Sequence, residues 1–355
     1  MRSRAIGVLA ALLLAGCASK APQAPSAGPE AAPTAPEPPA VERPAPAPAS
    51  AGGDLIGRSE RLLVVRPGPA DTAASVAARW LGSADLAWQV SDANPGAVAG
   101  SGQPLVVPLK PLNPLGVQGD RMQTVPILCY HRLGPGSNRM VISPSNFEAQ
   151  MTWLVRNEYR IIRLADLAGF LAGERALPAR SVVVTFDDGY ESVHRHAFPV
   201  LKRLGIPATV FVYTDFLGGG DALTWPQLQE MQASGLVDIQ SHSKSHRNLV
   251  ERLAGETDDR YRAAIEQEMR VPRDTLERRL PPLKVRHLAY PFGDANEIVV
   301  DSAGRNGFEL AATVTPGGNP FYAQPLLLRR TMIYGDMSLD TFRAKLQVSR
   351  PLSAP

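Results

Sequence analysis

From about Thr124 to Ser349 short apolar runs alternate with helical stripes, and this alternation limits the chain to few folds. Val125–Tyr130, Ser181–Phe186, Ala208–Tyr213, Val237–Gln240, Val285–Tyr290 and Glu309–Val314 have strand length, and three consecutive valines at 182–184 mark a buried strand. Between them, Ser145 with Glu148 three residues later reads as a capping box opening a helix striped by Phe147, Met151, Leu154 and Val155. Further helices are predicted over Ser192–Leu204, after Thr224-Trp225-Pro226, and over the charged stretch Asp258–Leu280. A last apolar run, Leu326–Leu328, precedes Arg329-Arg330. Such alternation predicts an α/β domain of parallel strands covered by helices, as a barrel or an open sheet.

Active sites of barrels lie at the C-terminal ends of the strands, so the residues following each run matter most. The first run is followed by His131, the next by Asp187-Asp188-Gly189, a later one by Ser241-His242-Ser243-Lys244-Ser245-His246, and another by Pro291-Phe292-Gly293-Asp294. Three of the chain's six histidines are in this set. Adjacent carboxylates disfavour joint ionisation, so Asp187-Asp188 calls for a nearby cation or a shifted proton; taken alone, the pair also reads as a helix cap. His242 and His246, four apart, face one way on a helical turn and can grip one metal. Two imidazoles and a carboxylate with open positions suit zinc, or Fe(II), Co(II) or Ni(II).

The chain begins with Arg2 and Arg4, an apolar run Ile6–Ala15 too short to span a bilayer, and Leu14-Ala15-Gly16-Cys17. This resembles a bacterial lipoprotein signal peptide (1–17). The resemblance implies a lipid anchor on Cys17 and, because Ala18 follows, an outer-membrane location facing the periplasm. Residues 18–53, rich in Pro, Ala and Glu without apolar periodicity, read as a disordered tether. Residues 54–111 show strand Leu62–Val65, a helix carrying Val76, Ala77, Trp80 and Leu81, a second helix near Leu86–Val90, the turn Asn94-Pro95-Gly96 and strand Leu105–Pro108. This βααβ order resembles a LysM domain, which implies binding of GlcNAc-containing glycans; its departure is Gly68-Pro69-Ala70-Asp71-Thr72 where Gly-Asp-Thr is usual. Residues 112–123 read as a linker and 124–349 as the large domain. With 37 basic and 34 acidic residues the net charge is +3, which gives no basic field for nucleic acid. Of two cysteines, Cys129 falls in an apolar run and reads as an inert buried thiol.

Thr185–Tyr190, Ser241–His246 and Ala289–Gly293, with Val125–His131 and Leu328–Arg330 at the two ends, resemble the motifs of the polysaccharide deacetylases, carbohydrate esterase family 4 (NodB homology). The resemblance covers the whole large domain. It implies a distorted (β/α) barrel and metal-dependent hydrolysis of N-acetyl groups on GlcNAc polymers, peptidoglycan or an exported poly-GlcNAc, or of O-acetyl groups. Carried over by position, Asp188, His242 and His246 form the metal triad, Asp187 is the general base, and the Phe292 N–H is an oxyanion donor. Tyr290, Pro291 and Arg330 are expected at the substrate. No histidine follows His287 to serve as the late general acid of many members, so His131 is expected to take that role. Ala289 stands where many members have an arginine, and Arg330 is the candidate to orient Asp187 instead. A non-catalytic glycan-binding lipoprotein is the alternative from another class. A glycosidase using Asp187 and Asp188 fits poorly, since neighbours on a strand point to opposite faces, and no Gly-x-Ser-x-Gly supports a serine hydrolase.

Overall fold

The computed structural model describes residues 53–136 and 138–352. The signal peptide, the lipidation site Cys17 and the tether, residue 53 excepted, lie outside the described residues. The small module has one strand more than expected. β1 (Asp54–Arg58), β2 (Leu62–Arg66) and β3 (Leu105–Pro108) form an antiparallel sheet in that order, with α1 (Ala73–Leu81) and α2 (Ala87–Ala93) between β2 and β3. Thr72 and Ser75 exchange hydrogen bonds as a capping pair at the start of α1. Val76, Ala77 and Val90 pack against Leu63, Val65, Leu105 and Val107 to make the module's core. The Asn94 amide donates to the carbonyls of Val90 and Val106 and accepts from the Val106 N–H, fastening the end of α2 to β3.

The segment expected as a plain linker contains a hairpin, Val117–Gln118 and Arg121–Gln123, whose second strand pairs with Ser349–Pro351 near the chain's end. Beyond it, β4 (Val125–Tyr130), β5 (Ser181–Phe186), β6 (Ala208–Val212), β7 (Val237–Ser241), β8 (His287–Ala289) and β9 (Leu310–Ala312) lie in the order β9-β8-β7-β6-β5-β4, all parallel. The sheet curls until one segment reaches both edges. Leu328 bridges Ala312 of β9, and three residues on, β10 (Thr331–Met332) pairs with Leu128–Cys129 of β4. The alternatives of barrel and open sheet thus resolve into a curled, half-barrel sheet, in keeping with the deacetylase fold.

Strand periodicity divides the apolar residues between two cores. Leu128, Tyr130, Val182, Val184 and Phe186 face the helices, against Phe147, Met151 and Leu154 of α3 (Pro144–Arg156) and Phe198 and Leu201 of α4 (Phe198–Leu204). Val125, Ile127, Val183, Phe211, Leu310 and Leu328 face inward, together with Leu164, Leu167 and Phe170. Two local expectations change. Ser143, not Ser145, caps α3: its hydroxyl accepts from the Asn146 N–H, and Pro144, which has no N–H to satisfy, takes the first helical position. The helix after the acidic pair begins as a π-turn over Val193–Ala197, because Pro199 cannot supply the N–H that a regular turn would need there. α5 (Trp225–Ala233), α6 (Asp258–Arg279) and α7 (Glu297–Arg305) complete the layer around the sheet.

Candidate active site

All six strands run one way, so the segments leaving β4, β5, β7 and β8 meet at one rim. Within β5, Val183 and Thr185 point inward, and the alternation carries on to Asp187. Its carboxylate is 2% exposed and accepts two hydrogen bonds from Arg330, Nη1 to Oδ1 and Nη2 to Oδ2, both 2.7 Å. Arg330 has no exposed surface, and its Nε donates to the Thr313 carbonyl at 2.8 Å. The Cys129 thiol donates to Asp187 Oδ2 at 3.4 Å. Burial pushes the Asp187 carboxyl upward, but the charges of Arg330 and His242 overcome it and bring its pKa down to about 2.

Asp188 leaves the strand at φ 71, a left-handed conformation, and its carboxylate turns toward the rim. Gly189 follows at φ 79, where an added Cβ would lie 2.8 Å from Val212 Cγ1. Asp188 Oδ1 is 3.4 Å from His242 Nε2 and 3.2 Å from His246 Nε2. Burial opposes ionisation here too, but the two histidines hold the Asp188 carboxyl far below the ordinary range. His242 is 2% exposed, with Nδ1 2.7 Å from the Ala289 carbonyl. That contact makes Nδ1 the protonated nitrogen and turns the Nε2 lone pair toward Asp188. Ser243 and His246 also have positive φ, 71 and 61. Of the five non-glycine residues with positive φ among those described, four (Asp188, Ser243, His246 and Phe292) belong to this rim. Such strain clusters where the surrounding structure holds a site in place.

The donor set fits a small divalent metal. One atom each of Asp188, His242 and His246 lies within 4.8 Å of the others. Donors in a tetrahedral site with bonds of about 2.0–2.1 Å stand about 3.3–3.4 Å apart, close to the two nitrogen–oxygen separations above. One carboxylate and two neutral imidazoles suit zinc, and nitrogen ligands also suit Co(II), Ni(II) and Fe(II).

His131 lies on the other side of Asp187, with one ring nitrogen within 4.8 Å of an Asp187 oxygen and of the Cys129 thiol. Its Nδ1 is buried without a hydrogen-bond partner, and burial lowers its pKa despite the nearby acids. Phe292 sits at φ 60 in a tight turn over Pro291–Gly293. Its ring is 59% exposed and meets the His246 ring edge-on at 4.9 Å.

Three expected substrate contacts are corrected. Tyr290 and Arg330 are 0% exposed and Pro291 is buried. The Tyr290 hydroxyl donates to the Leu326 carbonyl, and Arg330 is consumed by Asp187 and Thr313, so neither forms a groove wall. The orienting role weighed for Arg330 matches its placement. His194 reaches Glu230 at 2.8 Å away from the rim, and His287 is buried within β8.

Reading strand ends missed an aromatic group. Tyr213, just past β6, stacks on Phe216 at 5.0 Å and lies 5.1 Å from the His246 ring, while Tyr190 meets Phe216 at 5.6 Å. Arg132 covers the Tyr190 ring at 3.7 Å and pairs with Asp221. The signal for Tyr213 was present, since it occupies a strand end like the others.

Comparisons with known proteins agree with this architecture. A family model described as polysaccharide deacetylase matches residues 174–311. The solved structure of IcaB from Ammonifex degensii is 31% identical, with a TM-score of 0.57, over 65% of this chain and 98% of that one. A poly-beta-1,6-N-acetyl-D-glucosamine N-deacetylase of Staphylococcus aureus (strain MRSA252) is 28% identical over 197 residues, 53% of this chain and 67% of that protein. The Streptococcus pyogenes deacetylase PplD, solved in complex with acetate, shares the fold at 24% identity and a TM-score of 0.57, over 63% of this chain and 98% of that one.

Proposed function

Because this chain belongs to the polysaccharide deacetylase family, hydrolases that act on amide bonds, we propose that it removes N-acetyl groups from a GlcNAc-containing polymer, an exported poly-GlcNAc first among the choices. The observation that carries the reading is the pairing, at one rim, of the Asp188–His242–His246 donor set with the Arg330-held carboxylate of Asp187. The name of the Staphylococcus relative, a poly-beta-1,6-N-acetyl-D-glucosamine N-deacetylase, favours poly-GlcNAc over peptidoglycan.

Asp188, His242 and His246 would hold a divalent metal, zinc by preference. When bound, the metal polarises the acetyl carbonyl and lowers the pKa of water toward neutrality. Asp187 takes the proton from the attacking water. Arg330 fixes both its oxygens and keeps it ionised, so it stands in the accepting form throughout the neutral range. The Phe292 N–H donates to the oxygen on which charge develops, a contribution of about 3 kcal/mol for such donors. His131, in its imidazolium form, donates the proton to the departing sugar nitrogen, which leaves as an amine, and the burial that lowers its pKa makes that proton readier to go. The rings of Tyr190, Tyr213, Phe216 and Phe292 around the rim offer flat apolar faces to sugar rings.

The remaining parts fit an enzyme of the cell envelope. Cys17 would carry acyl chains that anchor it to the outer membrane, residues 18–53 would act as a tether, and the LysM-like module would hold the enzyme close to GlcNAc-containing glycan. Incubation of acetylated poly-GlcNAc oligomers with the zinc-loaded enzyme, followed by mass spectrometry, should show stepwise loss of acetyl groups from sugars with the chain length unchanged. Shortened oligomers, or no acetate from poly-GlcNAc, peptidoglycan or O-acetylated glycans alike, would overturn the proposal.

A further inference from the structure

The two histidines of the triad are held in different ways. The His242 ring is anchored directly by the Ala289 carbonyl. Apart from its contact with Asp188, the His246 ring makes no hydrogen bond among the described residues; it rests between the Tyr213 and Phe292 rings at 5.1 and 4.9 Å. Its direction is therefore set by its backbone, which turns at φ 61 directly after the loop Ser243-Lys244-Ser245.

The Asp215 N–H donates to the Lys244 carbonyl at 3.0 Å, the Lys244 ammonium pairs with the Asp215 carboxylate at 2.6 Å, and the Ser243 hydroxyl accepts from the His246 N–H at 3.0 Å. One buried side chain adds three more bonds to this loop. Glu268 of α6 is 6% exposed and forms no ion pair among the described residues. Its Oε2 accepts from the N–H groups of Lys244 and Ser245, both at 2.9 Å, and its Oε1 accepts from the Ser245 hydroxyl at 2.6 Å. Successive N–H groups beside a left-handed residue, here Ser243 at φ 71, make a concave anion site. In this protein the anion is internal. All three donors to the carboxylate come from the stretch between the two histidines, so its desolvation is compensated only while the loop keeps this shape.

Building on the metal-triad reading, we propose that Glu268 is a positioning residue that sets His246 in ligating geometry before a metal arrives. A carboxylate bound to the loop's amides fixes Ser243–Ser245, and the fixed loop fixes the His246 backbone and so its Nε2, 3.2 Å from Asp188 Oδ1. Outer partners of this kind typically change metal affinity 10–100-fold when removed.

The test measures zinc affinity by competition with a chromophoric chelator on the full-length chain, together with the thermal midpoint of each metal-free form. Glu268→Ala should weaken zinc about 10–100-fold and alter the visible absorption of the Co(II)-loaded protein. Glu268→Gln, which keeps one carbonyl oxygen for the two N–H groups, should lose less than about tenfold, short of the range for removing the partner outright. Ser245→Ala, which removes one of the three bonds and leaves the carboxylate in place, should fall between them, and it keeps the test open if Glu268→Ala does not fold. Unchanged affinity in both Glu268→Ala and Ser245→Ala, with zinc lost in Asp188→Ala, overturns the role of Glu268; so does a lowered metal-free midpoint with unchanged affinity. Zinc bound as tightly by Asp188→Ala as by wild type overturns the triad reading itself.

Discussion

Asp187 and Asp188 are neighbours in sequence, yet they belong to regions of opposite design. Asp187 faces the barrel interior, where the protein supplies its counter-charge through two 2.7 Å bonds from a fully buried arginine. Asp188 faces the rim, where its partners are two imidazoles that carry a full charge only when protonated. The inner carboxylate is neutralised by the fold; the outer one is arranged for a cation from outside. A strand that changes from inward-facing to left-handed between one residue and the next lets a single motif serve both purposes.

The largest expected effect comes from breaking each half separately. Asp188→Ala should abolish both stoichiometric zinc and acetate release, because a two-imidazole remnant lacks the anionic ligand. Asp187→Asn should retain zinc while lowering kcat about 10²–10⁴-fold, the range typical for loss of a positioned acid or base. Metal content and acetate release measured on the same preparations decide the matter. If Asp187→Asn lost the metal as completely as Asp188→Ala, the division of labour would be wrong.

Next in size is removal of the inner counter-charge. Arg330→Leu leaves Asp187 buried without a cation, a change that costs about 3–5 kcal/mol when one partner of a buried pair is deleted. Urea unfolding should show a lower midpoint, and activity should fall even where the protein remains folded. Arg330→Leu combined with Asp187→Asn should recover a large part of the stability, since no charge is then stranded, and should remain inactive. A single variant as stable as wild type would mean that the ion pair does not hold the inner half together.

How much of this was legible in the sequence follows from the same contrast. Strand length, helix order and the rim residues could be read because parallel strands deliver their next residues to one end, and His131, Asp187, Asp188, His242 and His246 all stand just past a run. The Arg330–Asp187 pair spans 143 positions, and only the closing segment Leu328–Met332, which touches both edges of the curl, brings it about. No local pattern encodes that closure, although Ala289 in place of the usual arginine left a charge unaccounted for. Tyr290 and Pro291 are expected at the substrate from the third motif, but the tight turn after β8, with Phe292 at φ 60, leaves both buried and exposes the Phe292 ring. Glu268 left a trace that went unread: it is a charge on the buried stripe Tyr261, Ile265, Met269, Pro272 and Leu276 of α6.

The smallest effect tests what an imidazole does without an acidic partner. His242 is fully enclosed, and burial lowers its pKa, yet Asp187 and Asp188 more than compensate and its pKa rises above the usual value. For His287, 2% exposed in β8, no acid offsets burial, which, with the charge of Arg286 beside it, takes its pKa from 6.5 down to about 4. The folded-state pKa is the lower of the two, so on acidification the unfolded chain binds this proton first. The stability His287 provides is complete above about pH 6.5 and is lost as the pH falls toward about 4, at most about 3 kcal/mol. In His287→Leu this part of the acid sensitivity should vanish. Urea midpoints of the metal-free wild type and variant, compared at pH 7.5 and pH 5, isolate the effect, because the titration of the rim cancels in the difference. Equal acid losses in the two proteins would show that the buried His287 ring is protonated in the folded state as readily as in the unfolded chain.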